Sequence, residues 1–278
     1  MTQAVRWIKS QLDVGYYYRL AKQRRHFRDL VACIPDDTIV VICGGMGRSG
    51  STWQFNVAKM IFEQLGHDDI GAGWVDDLPV FADHKLVLVK IHQYDPALAA
   101  RSDLVLTSYR DLRDVLASSQ RCFNRPPSVA SAKMSVWHFE QWRAIADHVL
   151  RYEDLLERGK PAVADEMIDA ILAAGDEATR RPDVRSRFSG QQIADAVEAL
   201  RPDRGRGDRE QDQATNNGLY VNHITDGRQG SWQGQLPDEI VSGVESACGR
   251  WMRAHGYLSR HLPLYRREKT SIATSRAA

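Results

Sequence analysis

The chain has 278 residues, enough to bury a substantial core in one large α/β domain or two small ones. Lys+Arg 37 against Asp+Glu 36 leaves a formal net charge of +1, so no global basic field argues for a nucleic-acid partner. Hydrophobic residues make up 43%, and no run approaches the roughly 18 apolar residues that a membrane span needs, so no transmembrane segment is expected.

In chain order, the first thirty residues read as a basic amphipathic helix with Val5, Ile8, Leu12 and Tyr16 on one side. They lack the apolar centre of a secretion signal. Packing on the domain surface is preferred over membrane association, which makes 1–36 an N-terminal helical extension of a single domain at 37–278. The four cysteines, Cys33, Cys43, Cys122 and Cys248, are scattered and offer neither zinc spacing nor a disulfide framework. Each is expected to be a small buried apolar residue, in a reducing cytoplasm.

Continuous apolar runs at 39–43, 86–91 and 104–109, with a weaker one at 148–152, predict strands covered on both faces. Helical patterns lie between and after them. Residues 51–65 put Trp53, Val57, Met60, Ile61 and Leu65 near one face, and 111–123 start with Asp111 as a cap. Further helices are predicted over 131–147 and over 237–255, the latter with Pro237 near its first turn. The alternation implies an α/β fold: a doubly wound parallel sheet with helices on both faces. Residues 201–230 are polar, glycine-rich and without apolar period, and are expected to form a long mobile loop.

The run "GGMGRSGSTW" at 44–53 follows the first strand. A nucleotide P-loop reads G-x-x-x-x-G-K-[ST]. Gly45 and Gly50 have the right separation, but Ser51 stands where the lysine belongs, and Arg48 lies three residues earlier. A glycine-rich turn opening a helix still presents N–H groups to an anion at the positive end of the helix dipole. The strands at 86–91 and 104–109 end near Lys90 and Arg110, cations rather than magnesium-binding acids. That favours an anion handled by protein cations without a metal, and a sulfuryl group suits it because it carries less charge than a terminal phosphoryl group.

"GRSGSTW" resembles the 5′-phosphosulfate loop of the sulfotransferases that use 3′-phosphoadenosine 5′-phosphosulfate (PAPS). Cytosolic members carry a Lys-Ser-Gly-Thr-Thr-Trp run, so Arg48 falls at the lysine position. "SYRDLRDVLASS" (108–119) resembles their 3′-phosphate segment, "VKIH" (89–92) their Lys-Thr-His run, "RYEDL" (151–155) a run whose tyrosine lies near the adenosine, and "DGRQGSW" (226–232) the segment that closes over the cofactor. Together these touch residues from about 39 to 232, in the family's order.

The resemblance implies a P-loop-like fold and transfer of a sulfuryl group from PAPS to an acceptor hydroxyl or, second, an amine, leaving PAP (3′-phosphoadenosine 5′-phosphate), with no metal required. It implies that His92 is the general base, and that Arg48 and Lys90 bind the bridging and non-bridging oxygens of the leaving phosphate. Ser49, Gly50, Ser51 and Thr52 would hold the 5′-phosphate, Trp53 would stack on the adenine, and Arg110 with Ser118 would take the 3′-phosphate. Tyr152 would stand near the adenosine, with Gly227, Arg228 and Gly230 closing over it. An imidazole with a near-neutral pKa would give a rate that rises with pH through that value.

Two positions depart from the family. Its Arg-Lys pair before the closing segment aligns with Thr225 and Asp226, leaving Arg228 as a substitute, and Arg48 replaces a point charge with a planar fork. The acceptor is a small molecule, a lipid or a sugar, in a pocket lined by 67–85, 123–145 and 201–225. Trp74, Phe81, Phe123, Trp137 and Trp142 are candidates for that lining or equally for the core. Arg113 with Asp114, and Glu153 with Asp154, read as ordinary salt-bridge partners. A P-loop kinase or other phosphotransferase, and a nucleotide-binding protein without activity, are the alternatives; the oligomeric state is open.

Overall fold

The computed structural model describes residues 25–175, 182–200 and 227–259. The apolar runs pair side by side as one parallel sheet. Its strands are β1 (Ile39–Cys43), β2 (Ile70–Trp74), β3 (Leu86–Lys90), β4 (Leu104–Tyr109) and β5 (His148–Arg151), in the order β2-β3-β1-β4-β5. β1 is central, with Cys43 opposite Lys90 of β3 on one side and Leu106 of β4 on the other. The chain crosses from one half of the sheet to the other at β1, the point where open α/β sheets form a crevice beyond their strand ends.

Alternate residues of each strand face opposite layers, and both layers are dry, which is why the runs are apolar throughout. Val41, Cys43, Leu86, Leu88 and Leu106 pack against helix α1 (Ser51–Gln64) and against two later helices. Val40, Ile42, Val87, Val89 and Val105 face Phe27, Leu30, Leu98 and Trp142. Leu98 belongs to α2 (Pro96–Arg101), capped by Asp95, whose carboxylate accepts from the N–H groups of Ala97 and Leu98. A third cluster joins α3 (Leu112–Phe123), α4 (Val129–Arg143) and a last helix through Leu116, Phe139, Val244 and Met252.

The elements differ from the sequence expectation in particular places. β2 was not predicted, because two glycines dilute its apolar pattern. Both are required by close packing: a Cβ at Gly71 would lie 2.4 Å from the Phe81 carbonyl oxygen, and one at Gly73 2.8 Å from the Phe81 ring. Helices α5 (Lys160–Ala174) and α6 (Gly190–Ala199) were also missed, whereas α7 (Asp238–Ala254) matches the last predicted helix. α4 starts earlier than expected, where Ser128 caps it through the Ser131 N–H, and ends at Arg143 rather than 147. Cys43 and Cys248 are buried and Cys122 partly so, but Cys33 is exposed; none is in a disulfide.

Of the expected N-terminal helix, the segment with Val5, Ile8, Leu12 and Tyr16 lies outside the described residues, as does the expected mobile loop up to residue 226. Among the described residues, no helix is long and apolar enough to cross a membrane.

Candidate active site

The loop at 44–50 is sewn to the neighbouring strand. The Gly44 N–H donates to the Leu106 carbonyl (2.8 Å) and the Met46 N–H to the Ser108 carbonyl (2.9 Å). Gly45 has φ +118°, and a Cβ there would sit 2.5 Å from the Ser108 nitrogen, so only glycine fits. Arg48 adopts φ +67°, a strained conformation for a residue with a side chain. Ser49 is buried, and its hydroxyl donates to the Met46 carbonyl (2.6 Å) beside Ser108 Oγ (2.7 Å). Its side chain thus shapes the loop from within. α1 then begins at Ser51 with no acidic residue in its first turn and no side-chain cap, so its first N–H groups and the positive dipole end face the loop.

The end of β3 brings two basic groups to this point. Lys90 is buried; its ammonium donates to the Thr52 hydroxyl and lies 5.2 Å from the Trp74 ring centre. Burial pushes its pKa down to about 7; the nearby Cys43 opposes that shift and Arg48 adds to it. Two residues on, the His92 Nδ1–H donates to the Gly45 carbonyl (3.1 Å), which assigns the lone pair to Nε2. Nε2 lies on the Gly47 side of the loop, 3.7 Å from where a Cβ on that glycine would be, and Trp74 packs edge-on to the ring at 5.1 Å.

His92 keeps some solvent contact, but desolvation first, and then the charge of Lys90, push its pKa down to about 3. The Gly45 hydrogen bond opposes this, while Arg48 and Arg125 reinforce it. The near-neutral histidine expected from the sequence is therefore corrected. This imidazole is neutral from mildly acidic pH upward.

The end of β4 builds a second cationic group on the other side of the loop. Arg110 is buried, with its guanidinium 4.0 Å above the Tyr152 ring and 3.8 Å from Asp114. It donates to the Arg228 carbonyl (2.6 Å) and to the Arg48 carbonyl (3.4 Å), while its buried Nε has no hydrogen-bond partner. Arg48 Nε donates to the Ser118 hydroxyl (3.0 Å), eight residues after Arg110 on α3. The structure thus groups Arg48 with Ser118 and Arg110, and Lys90 with Thr52 and His92.

The segment from 227 is held down over this second group. The Tyr152 hydroxyl donates to the Gly227 carbonyl (2.8 Å), and Gly227 and Gly230 take φ +64° and +73°. Asp114, fully buried, accepts from the Gly230 N–H (2.8 Å), the Trp232 N–H (3.0 Å) and the Ser231 hydroxyl (3.1 Å). Arg113 lies over the Trp232 ring at 4.2 Å and pairs with Asp111 and Glu245, each at 2.6 Å. Arg121 bonds Ser231 (3.3 Å) and Gln235.

Sequence reasoning missed Asp114 and Arg121. The available signal was their spacing from Arg110 and Ser118, which recurs at helical intervals. Glu153 is an ion-pair partner, of Arg151 at 3.6 Å, but a buried one: desolvation raises its pKa, and it accepts from the Asp111 N–H and the Tyr257 hydroxyl.

Trp53 is buried among Leu150 and Leu155 with its indole N–H unpartnered. The Arg228 backbone touches Arg110, and the residue itself is exposed. Of the aromatic residues considered for an acceptor pocket, Trp142 and Phe81 belong to the core, whereas Trp137 and Phe123 are 43% and 47% exposed. Phe123 lies 5.5 Å from the Arg48 guanidinium and 5.2 Å from that of Arg125.

No family model matches the chain, and no curated protein matches it in sequence. Among solved structures it is similar to retinol dehydratase in complex with androsterone and inactive cofactor PAP: 14% identity, TM-score 0.51, covering 78% of this chain and 81% of that one. It is also similar to retinol dehydratase in a complex with retinol and PAP: 15% identity, TM-score 0.50, covering 78% and 82%. A mouse sulfotransferase, SULT7A1, complexed with PAP follows at 12% identity and TM-score 0.48, covering 79% and 84%. The first two matches show that the chain shares the fold of retinol dehydratase.

Proposed function

We propose that the chain is a sulfotransferase that moves the sulfuryl group of PAPS to an acceptor hydroxyl and releases PAP. The observation that carries this reading is the pair of cationic groups flanking one loop, Lys90 with Thr52 on one side and Arg110, Arg48 and Ser118 on the other. A nucleotide with phosphates at both its 5′ and 3′ positions needs two such places; a nucleoside triphosphate does not.

The residues present fit that ligand. Lys90 is a buried ammonium with no ion pair among the described residues, and Arg110 has a buried donor without a partner. The Lys90 charge, buried without a counter-ion, is costly until an anion arrives. Gly45 and Gly50 let the loop lie close against Ser108 and Tyr152, which draws its backbone in beside Arg110. The fold adds weight, because both similar structures hold PAP.

When bound, the donor supplies a sulfur whose bond to the 5′-phosphate oxygen breaks as the acceptor oxygen bonds to it. The first N–H groups of α1 and the Thr52 hydroxyl hold the 5′-phosphate. Lys90 lies beside Thr52 and places its charge where negative charge grows on the leaving oxygen. His92 takes the acceptor proton at Nε2, its tautomer fixed by the Gly45 carbonyl. Arg110 and Ser118 hold the 3′-phosphate, with Tyr152 and Trp53 beside the adenosine and Gly227, Arg228 and Gly230 above it.

The acceptor would meet Trp74, which packs edge-on to His92, and the exposed rings of Phe123 and Trp137 offer further apolar surface, suited to an apolar alcohol such as the retinol and androsterone held by the two similar structures. The test is transfer of labelled sulfuryl group from PAPS to a panel of sterol, retinoid, phenol and sugar acceptors, with melting temperature followed in parallel. PAP should stabilise more than adenosine 5′-phosphate or ATP, and chelation of divalent metal should leave turnover intact. Equal shifts with all three nucleotides, or transfer from ATP that depends on magnesium, would overturn the reading in favour of a phosphotransferase. Tight PAP binding with no transfer to any acceptor class would leave a nucleotide-binding protein without activity.

A further inference from the structure

One face of α3 meets the second cationic group through Asp114 and Ser118. Asp114, Ser118 and Arg121 stand at intervals of four and three residues, which stack side chains along a single stripe of a helix. Arg110 lies one step before the helix on the same line. Each member of the stripe is accounted for by a contact. Asp114 takes the turn at 230–232, Ser118 takes Arg48, and Arg121 reaches over to Ser231 (3.3 Å) and Gln235.

Ser231 ties the two ends of the stripe together, because its hydroxyl also donates to Asp114 (3.1 Å). Arg121 therefore stands one helical turn beyond Ser118, held in place by the segment that covers the site. Its charge is felt at Arg48: burial lowers the proton affinity of that guanidinium, and the nearby positive charges of Arg110 and Arg121 lower it further. The position where a basic pair was expected, before Gly227, carries Thr225 and Asp226 instead.

We infer that Arg121 is a third guanidinium of the 3′-phosphate subsite, supplying from α3 the charge that residues 225 and 226 do not. This inference rests on the proposed PAPS reading. It adds Arg121 to Arg110 and to Arg48, which bonds the Ser118 hydroxyl, and three planar donors suit a dianionic phosphate rather than a single-charged group. Ser231 and Gln235 are then positioning residues that hold the Arg121 fork towards the site when the closing segment is down.

The experiment is titration calorimetry with two probes, PAP and adenosine 5′-phosphate, which differ only in the 3′-phosphate. Wild type should prefer PAP. Arg121→Ala should weaken PAP on the order of tenfold, as for a lost hydrogen bond to a charged group, while adenosine 5′-phosphate affinity stays nearly constant. Arg121→Gln, closer in shape, guards against loss of fold and should show the same collapse of the PAP preference. Ser231→Ala should weaken PAP less than either.

If Arg121→Ala and Arg121→Gln lower both affinities equally, Arg121 only packs the closing segment and the inference fails. If Arg228→Ala collapses the preference while both Arg121 variants keep it, the missing charge comes from Arg228 and the inference also fails. A wild type that shows no preference for PAP would instead overturn the PAPS reading itself, and that outcome is visible before any variant is made.

Discussion

A charged Lys90 two residues before His92 is one reason the imidazole stays neutral, and the two groups divide the pH dependence between them. With its pKa pushed down to about 3 in the free protein, His92 is unprotonated throughout the working range. No rising limb near pH 6.5 is therefore expected in kcat/KM. His92→Ala should still lower turnover by about 10²–10⁴, the range for a positioned proton transfer, with PAP affinity nearly unchanged. Retention of near-full turnover would remove His92 from the mechanism.

Lys90 sets the other limb. Its charged form is lost as pH rises through about 7, so PAP affinity should fall above that pH, where binding must also take up a proton. Lys90→Arg keeps its proton and should move the fall out of range; an unshifted fall in that variant would assign it to another group. For stability the sign is opposite. The unfolded chain holds the lysine proton up to its ordinary 10.5, so this group makes the free protein more stable as pH rises from about 7 to 10.5. Lys90→Met should then raise the melting temperature of the free protein while weakening PAP. Each unit of the shift corresponds to about 1.4 kcal/mol.

At the scale of elements, the loop at 44–50 depends on backbone that only glycine supplies at position 45. Gly45→Ala places a methyl group against the backbone of Ser108 in β4 and holds φ +118° at a cost of about 1–3 kcal/mol for the strain alone. It should lower stability and PAP affinity together. Asp114→Asn should loosen the turn at 230–232, read as faster amide exchange at Gly230 and Trp232, because an amide accepts through one oxygen where the carboxylate used two. Unchanged exchange there would mean the turn is held from elsewhere.

The same elements show what a sequence can reveal. β1, β3 and β4 were legible because their residues are apolar on both faces, and the loop was legible because Gly45, Gly50 and Arg48 stand in a line. β2 was hidden by Gly71 and Gly73, which serve packing against Phe81 rather than strand propensity. The direction of Arg48 was hidden too: a left-handed backbone at that residue sends its head group to Ser118, which the motif does not encode. Asp114 read as an ordinary salt-bridge partner, and it does lie 3.8 Å from Arg110; its three donors at 230–232 were hidden because they come from more than a hundred residues away.

At the scale of the molecule, the site belongs to no single layer. β1 contributes the loop, β3 Lys90 and His92, β4 Arg110, α3 Ser118, and the segment before α7 the cover. The two main core clusters are built from alternate residues of the same strands, so neither layer can unfold and leave the other intact. A ligand that joins these ends should stabilise the whole body at once. Saturation with PAP at about 100 times its Kd adds about 2.7 kcal/mol, which for a domain of this size raises the melting temperature by roughly 5–10 °C. Calorimetry should show one transition that moves as a unit, with its height and width nearly preserved. Two transitions, only one of which follows PAP, would mean that the strand ends and the closing segment belong to bodies that fold separately. The cation clusters on either side of the loop would then be assembled only when those bodies dock.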